Sequence, residues 1–333
     1  MTAAARPSED DLIGRWLRPL ATDPAALDLA DDCARLVAPP GEDLILKVDA
    51  IAEGVHFFSA DPWDLVARKA LRVNLSDLAA KGARPLGYLM SLGLPDAWTT
   101  AGMDALAAGL AADQAAFGLS LLGGDTIRSR DGLTLSITVL GAVPHGVGPH
   151  RQGARPGDVV FLSGTLGDAA LGLRLRLDAA AAGRWRLDAA AAAHLLDRYL
   201  LPRPRLGLAA ALLAHAGGSM DVSDGLGIDL ARLGRASGTH AVVDLARLPL
   251  SPAATAALAA EPGLVEAIVT GGDDYEIVAT VAPSAAGAFA AAATAAGIAV
   301  TAIGRLEAGA GAPRFVGRDG GVFVPTRQGF EHF

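Results

Sequence analysis

The sequence predicts an α/β protein of two domains, and three observations carry that prediction. Its 333 residues are about twice a typical domain of ~150. Short apolar runs alternate with longer alanine-rich stretches of helical period. Turn formers crowd near the middle, in Pro144-His-Gly-Val-Gly-Pro149 and Arg155-Pro-Gly-Asp158. The boundary therefore falls near residue 150, giving domains 1–150 and 151–333.

In chain order, Ser8-Glu-Asp-Asp11 ahead of Leu12, Ile13, Trp16, Leu17 and Leu20 predicts a capped amphipathic helix. Residues 44–48 read as a buried strand ending at Asp49. Asp61-Pro62 starts a helix reaching about Ala80, on which Asn74, Asp77 and Lys81 form one polar stripe. Strands follow at 87–94, 119–122 and 133–143, with an alanine-rich helix from about Thr100. The second half opens with a strand at 159–163 and a helix from about Asp168. An Ala/Arg/Leu stretch to about Tyr199 then breaks at Pro202 and Pro204 before another helix. Met220-Asp-Val-Ser-Asp-Gly225 leads into a helix to about Ser237, then a strand at 240–245. Gly271-Gly272 turns into a strand at 275–281, and a last strand covers 321–324. The uncharged run 277–304 is long enough to span a bilayer. Pro283, Gly287 and Gly297 interrupt it, so it reads as strand, helix, strand. Leu75-Ser-Asp77 echoes Val222-Ser-Asp224, and Gly123-Gly-Asp125 echoes Gly271-Gly-Asp273, which is consistent with two halves of similar design.

Composition excludes several functions. A net charge of −8 opposes binding to a nucleic-acid backbone or an anionic membrane. The one cysteine, Cys33, allows no intramolecular disulfide and no multi-thiolate metal site, and reads as a small buried residue. With no signal-like segment, the chain is expected in the cytoplasm. There is no G-x-x-x-x-G-K-[ST] string and no G-x-G-x-x-G. Only three of the basic residues are lysines.

What remains is a series of aspartates: Asp31, Asp32, Asp49, Asp77, Asp125, Asp221, Asp224, Asp273 and Asp274. Any one alone reads as a turn or cap residue. Together, several after apolar strands and two after Gly-Gly, they read as a pocket. Like charges near 4 Å cost roughly 4 kcal/mol per pair at an effective dielectric of 20, so such a pocket calls for cations. All-oxygen ligation selects hard ions, and Mg²⁺ characteristically takes one or two carboxylates plus substrate phosphates.

The residues carrying this pattern resemble the bacterial thiamine-monophosphate kinases, of the aminoimidazole ribonucleotide synthetase-like superfamily. The matching strings are Asp31-Asp-Cys-Ala34, Asp49 through Glu53-Gly-Val-His-Phe57, Val73-Asn-Leu-Ser-Asp-Leu-Ala-Ala-Lys-Gly-Ala-Arg-Pro85, Gly123-Gly-Asp-Thr126, Ser163-Gly-Thr-Leu-Gly-Asp168, Met220-Asp-Val-Ser-Asp-Gly-Leu226, Gly271-Gly-Asp-Asp-Tyr-Glu276 and the tail from Gly329 to Phe333. The resemblance implies a two-domain fold of mixed sheets flanked by helices, with an ATP and metal site between the domains. It implies phosphorylation of thiamine monophosphate by ATP, by direct transfer, in a homodimer formed through the N-terminal domains.

By the same resemblance Asp32, Asp49, Asp77, Asp125, Asp221 and Asp224 take Mg²⁺ positions, with the Val48 carbonyl as a further candidate. Gly124, Asp125, Arg151 and Ser223 fall on ATP contacts, and His56, Asp273 and Phe330 on thiamine phosphate contacts. Taken alone, His56 reads as a packed histidine, Arg151 as a surface arginine and Phe330 as a hydrophobic cap. Asn74 and Lys81 read equally as helix structure or as ligands. Three positions depart from the family pattern: Ala30 stands for its glycine, Asp273 for its glutamate, and Phe330 for its tyrosine or tryptophan. Other ATP-using members of the superfamily, or a regulatory protein that binds nucleotide without catalysis, are the competing readings.

Overall fold

A computed structural model describes residues 7–327, 329 and 330. The tail residues 331–333 lie outside it. The chain divides into two compact units. The first takes the chain to Leu78 together with Arg84–His145, and the second takes Ala79–Ala83 and the chain from Gly146 onward.

In the first unit, helix α1 (Glu9–Leu12) carries the capping box expected of Ser8 and Asp11, and the chain continues helically through Leu20, burying Leu12, Trp16, Leu17 and Leu20. Strand β1 (Glu42–Ala52), helix α2 (Trp63–Ala80), strand β2 (Arg84–Pro95), helix α3 (Thr100–Phe117), strand β3 (Ser120–Ser129) and strand β4 (Thr134–Pro144) follow. The four strands form one sheet in the order β1-β4-β2-β3. Helix α3 starts at the Thr99 cap and ends at Gly118 in the left-handed conformation. Its buried Asp113 is held by Arg68 at 2.9 Å and Arg72 at 2.6 Å, both on α2.

Strand β1 is not the buried strand the sequence predicts. Its residues alternate, and Leu46 and Val48 are 63% and 55% exposed. Register puts Val48, Thr138 and Leu89 in one row and Asp49, Ile137 and Met90 in the next. The second row is on the side where α2 bonds to Asp49 through Asn74, and there Ile137 and Met90 are buried. The first row, with Leu46 and Ile127, forms an open apolar face. Leu-Ile-Leu-Lys-Val misleads because Leu46 and Val48 lie on the open face, while Lys47 and Asp49 share the side toward α2.

The second unit contains strand β5 (Val159–Ser163), helices α4 (Asp168–Leu177), α5 (Ala181–Arg184), α6 (Ala189–Leu200) and α7 (Ala209–His215), strand β6 (Ala216–Val222), helix α8 (Leu226–Ser237), strand β7 (Thr239–Asp244), helices α9 (Pro252–Ala260) and α10 (Leu264–Thr270), strand β8 (Glu276–Val281), helix α11 (Ala286–Ala295) and strands β9 (Val300–Ala308), β10 (Arg314–Val316) and β11 (Val322–Phe323). Seven strands form a mixed sheet in the order β11-β10-β7-β9-β5-β8-β6. Both faces are covered. Val160, Leu162 and Val278 pack with α4, α6, α8 and α10, while Phe161, Ile277 and Ala279 pack with α7 and α11. The run 277–304 folds as strand, helix, strand, and no helix among the described residues is long and apolar enough to cross a membrane. The sequence reading had no element at α9, α10 or β10.

Three smaller expectations fail. Cys33 is exposed. Leu75-Ser-Asp77 lies inside α2 whereas Val222-Ser-Asp224 ends β6, and Gly123-Gly-Asp125 lies inside β3 whereas Gly271-Gly-Asp273 is a loop, so the two echoes are not structural equivalents. The polar stripe on α2 also divides. Asn74 is buried, Asp77 faces Lys47, and the Lys81 ammonium donates to the Ser219 carbonyl at 2.7 Å.

Candidate functional site

In the first unit the acids gather on β1 and α2. Asp49 sits in the middle of β1, two residues from Lys47, so the two side chains share a face. The Lys47 ammonium lies 3.1 Å from Asp49 Oδ1 and 3.0 Å from Asp77 Oδ2. One cation therefore bridges two of the acids singled out by sequence. Burial is the strongest influence on Lys47 and pulls it down, but Asp77 and Asp49 together outweigh it and hold the ammonium above the ordinary lysine value. Asn74 fixes the backbone here, accepting from the Asp49 N–H at 2.7 Å and donating to the Asp49 carbonyl at 3.4 Å. Because that N–H turns to Asn74, the Val48 carbonyl of the same peptide turns the other way, toward β4.

Beyond β1, the Ala52 N–H donates to His56 Nδ1 at 3.1 Å, so the neutral ring carries its proton on Nε2. Asp125 is exposed and stands in register with Ser91. The glycine before it is demanded by the sheet: a Cβ at Gly124 would lie 1.9 Å from the Met90 carbonyl oxygen. Asp32 is exposed in a bend whose first carboxylate, Asp31, accepts from the Cys33 N–H at 3.4 Å.

In the second unit, residues far apart in sequence are tied by their backbones. The Asp273 N–H donates to the Ser223 carbonyl, the Tyr275 N–H to the Val222 carbonyl, both at 2.8 Å, and the Phe330 N–H to the Asp224 carbonyl at 2.9 Å. A Cβ at Gly272 would lie 2.5 Å from the Ser223 carbonyl, which is why a glycine precedes Asp273. Ser223, Asp224, Asp273 and Phe330 thus form one cluster, with the buried Asp221 at the end of β6 behind it. Arg151 is exposed on a single helical turn, and its carbonyl accepts from the Ser237 hydroxyl at the end of α8.

Asp273 and Tyr275 have φ of 71° and 51°, the left-handed region that non-glycine residues seldom enter. Asp274 between them is fully buried and accepts from the Gly167 N–H at 2.8 Å. Burial raises it well above the ordinary carboxyl range. Glu276 accepts from Arg198 at 2.9 Å, from Arg205 Nε at 2.6 Å and from the Ser163 hydroxyl at 2.6 Å. Under Ser223 and Asp224, Asp229 accepts both backbone N–H groups at 3.0 Å, and Arg232 pairs with Asp229 and Asp224. Burial pushes Asp229 up to about 6 against the pull of those bonds.

Sequence reasoning gave no role to Lys47, Asp229, Arg232 or Glu276. The signals present were the i, i+2 spacing of Lys47 and Asp49, the i, i+3 spacing of Asp229 and Arg232, and Glu276 at the end of a recognised string.

Among the described residues no three His, Cys, Asp or Glu side chains converge closely enough to hold a metal ion. Two do converge, Asp49 and Asp77, around an ammonium that stands where a cation would. Two carboxylates match the share that Mg²⁺ takes from proteins when phosphates complete its shell, so the donor set fits.

A mixed α/β chain of two units with acid-lined strands and no P-loop matches two family models: AIR synthase related protein, N-terminal domain, over residues 30–143, and AIR synthase related protein, C-terminal domain, over residues 155–315. The thiamine-monophosphate kinase of Caulobacter vibrioides is 47% identical over 339 residues, covering 99% of this chain and 92% of that protein. The crystal structure of thiamine-monophosphate kinase from Stenotrophomonas maltophilia K279a superposes with a TM-score of 0.81 at 36% identity, covering 92% of this chain and 94% of that one. AaThiL complexed with AMPPCP and TMP gives a TM-score of 0.76 at 30% identity, covering 91% of each chain. The chain belongs to the thiamine-monophosphate kinase family.

Proposed function

We propose that this protein transfers the terminal phosphoryl group of ATP directly to the phosphate of thiamine monophosphate, forming thiamine diphosphate and ADP. The kinship with the Caulobacter enzyme along nearly the whole chain carries this reading, and the relative bound to AMPPCP and TMP supports both ligands. The accepting phosphate loses its last proton near pH 6, as phosphomonoesters do, so it needs no general base. Catalysis reduces to aligning two anions and screening their repulsion.

In this reading Asp32, Asp49, Asp77, Asp125, Asp221 and Asp224 hold Mg²⁺, which when bound neutralises charge on the reacting phosphates. Gly124, Asp125, Arg151 and Ser223 bind ATP. Arg151 brings a guanidinium to the phosphates, and Ser223 is held by Asp229. His56, Asp273 and Phe330 bind thiamine monophosphate. His56 offers its Nε2–H to a phosphate oxygen, Asp273 a carboxylate to the cationic substrate, and Phe330 an aromatic face to its rings. The exposed Leu46, Val48, Leu89 and Ile127, on a sheet face that register shares with Ser91 and Asp125, support the homodimer through the first unit, because exposed large apolar side chains call for a cover. Sedimentation of a Val48→Glu variant as a monomer, against a dimeric parent, checks this. The use of ATP as co-substrate supports a cytoplasmic enzyme.

The decisive assay follows ADP. It should form only when Mg²⁺ and thiamine monophosphate are both present, with thiamine diphosphate in equal amount. Equal ADP release without the acceptor would make the protein an ATPase and overturn the reading.

A further inference from the structure

We propose that Lys47 is a built-in counter-ion: in the metal-free enzyme its ammonium holds Asp49 and Asp77 together and competes with the divalent cation for them. The inference rests on reading Asp49 and Asp77 as Mg²⁺ ligands. Three observations carry it beyond that reading. The ammonium touches both carboxylates at 3.0–3.1 Å rather than pairing with one. It reaches them from the same strand as Asp49, two residues away, so the bridge is local and forms with β1 itself. The protein has only three lysines, and the other two are committed to backbone carbonyls, Lys69 to His56 and Lys81 to Ser219.

The chemistry follows from charge. Two carboxylates close enough to share one ammonium repel each other when it is withdrawn. A protein that must fold and wait without metal is therefore stabilised by a resident cation. The same contact must be broken before a divalent ion can use both oxygens, so resident charge lowers metal affinity. A lysine suits this exchange better than an arginine, since its ammonium is a compact point charge on a flexible stem that can swing aside. Lys47 is a positioning residue here, acting through the two aspartates.

The test uses the full-length protein without nucleotide, at fixed ionic strength. Mn²⁺ binding is read by electron paramagnetic resonance, and the unfolding midpoint is measured with and without Mn²⁺. Lys47→Met should bind Mn²⁺ about fivefold more tightly, the scale of two partly exposed ion-pair contacts. Its metal-free midpoint should fall by about 2–4 °C, with a larger rise on adding Mn²⁺. Lys47→Arg should keep the parental metal-free midpoint. Unchanged or weaker Mn²⁺ binding in Lys47→Met overturns the proposal. Normal Mn²⁺ affinity in Asp77→Asn would also overturn it, by removing Asp77 from the metal site, while the ADP assay would still stand or fall separately.

Discussion

The two units neutralise their acids in opposite ways. In the first, Asp49 and Asp77 share the ammonium of a lysine whose flexible side chain is 32% exposed. In the second, Glu276 is sealed from solvent between Arg198 and Arg205, and Asp274 is pinned to the start of α4. The first arrangement can exchange its cation; the second cannot without exposing a buried charge. The difference separates two tasks. One set of acids is poised to trade partners, while the other builds the frame that holds Asp273 and Tyr275 in their left-handed conformations beside Ser223.

Removing the frame's central carboxylate should therefore give the largest effect. Glu276→Ala leaves the buried Arg198 and the half-buried Arg205 guanidinium groups without their shared carboxylate and should lower unfolding free energy by about 3–5 kcal/mol in urea titrations. A loss as small as that of Lys47→Met would erase the contrast between the units. Asp274 sharpens it at a finer scale. Its oxygens accept from the Gly167 N–H, so Asp274→Asn, which keeps a carbonyl acceptor of the same shape, should stay close to parental kinetics. Asp274→Ala frees the loop and should raise KM for thiamine monophosphate about tenfold, some 1.4 kcal/mol, with KM for ATP little changed. An equal rise in both constants would mean that the loop positions nothing specific to the acceptor.

How much of this was legible in the sequence depended on the range of the interactions involved. The Ser8–Asp11 capping box, the Asp61-Pro62 start of α2 and the strand–helix–strand reading of 277–304 rest on neighbours within a turn or two, and all three hold. The exposure of Leu46 and Val48 was illegible because an apolar strand face looks the same in sequence whether or not the chain covers it. The ionic frame was illegible for a different reason: Arg198 and Arg205 stand 78 and 71 residues from Glu276, beyond any spacing rule. Alanine-rich α9 lacks the contrast between faces on which periodicity depends, and α10, at seven residues, is too short to show it. Among the candidate site residues, the second-unit cluster of Ser223, Asp224, Asp273 and Phe330 was carried by family strings, and backbone hydrogen bonds join its members. Lys47 was missed because a lone lysine between apolar residues reads as the polar side of a strand.

The smallest effect lies where water screens everything. At the end of β1 and β4, the His145 Nδ1 atom and Asp43 Oδ1 lie 2.7 Å apart, both exposed. The hydrogen bond and charge of Asp43 raise the imidazole above its ordinary 6.5. Its charged form is thus favoured in the folded chain. The stability this adds is fully present below the unfolded value of 6.5 and is lost as pH rises through the folded one. Asp43→Asn should move the His145 titration, followed by NMR, back down toward 6.5, while the unfolding midpoint stays within error. The same carboxylate–cation chemistry would then run from negligible at Asp43, through modest and exchangeable at Lys47, to indispensable at Glu276, with burial as the variable. A destabilisation by Asp43→Asn as large as that by Glu276→Ala would show that something other than burial sets the order.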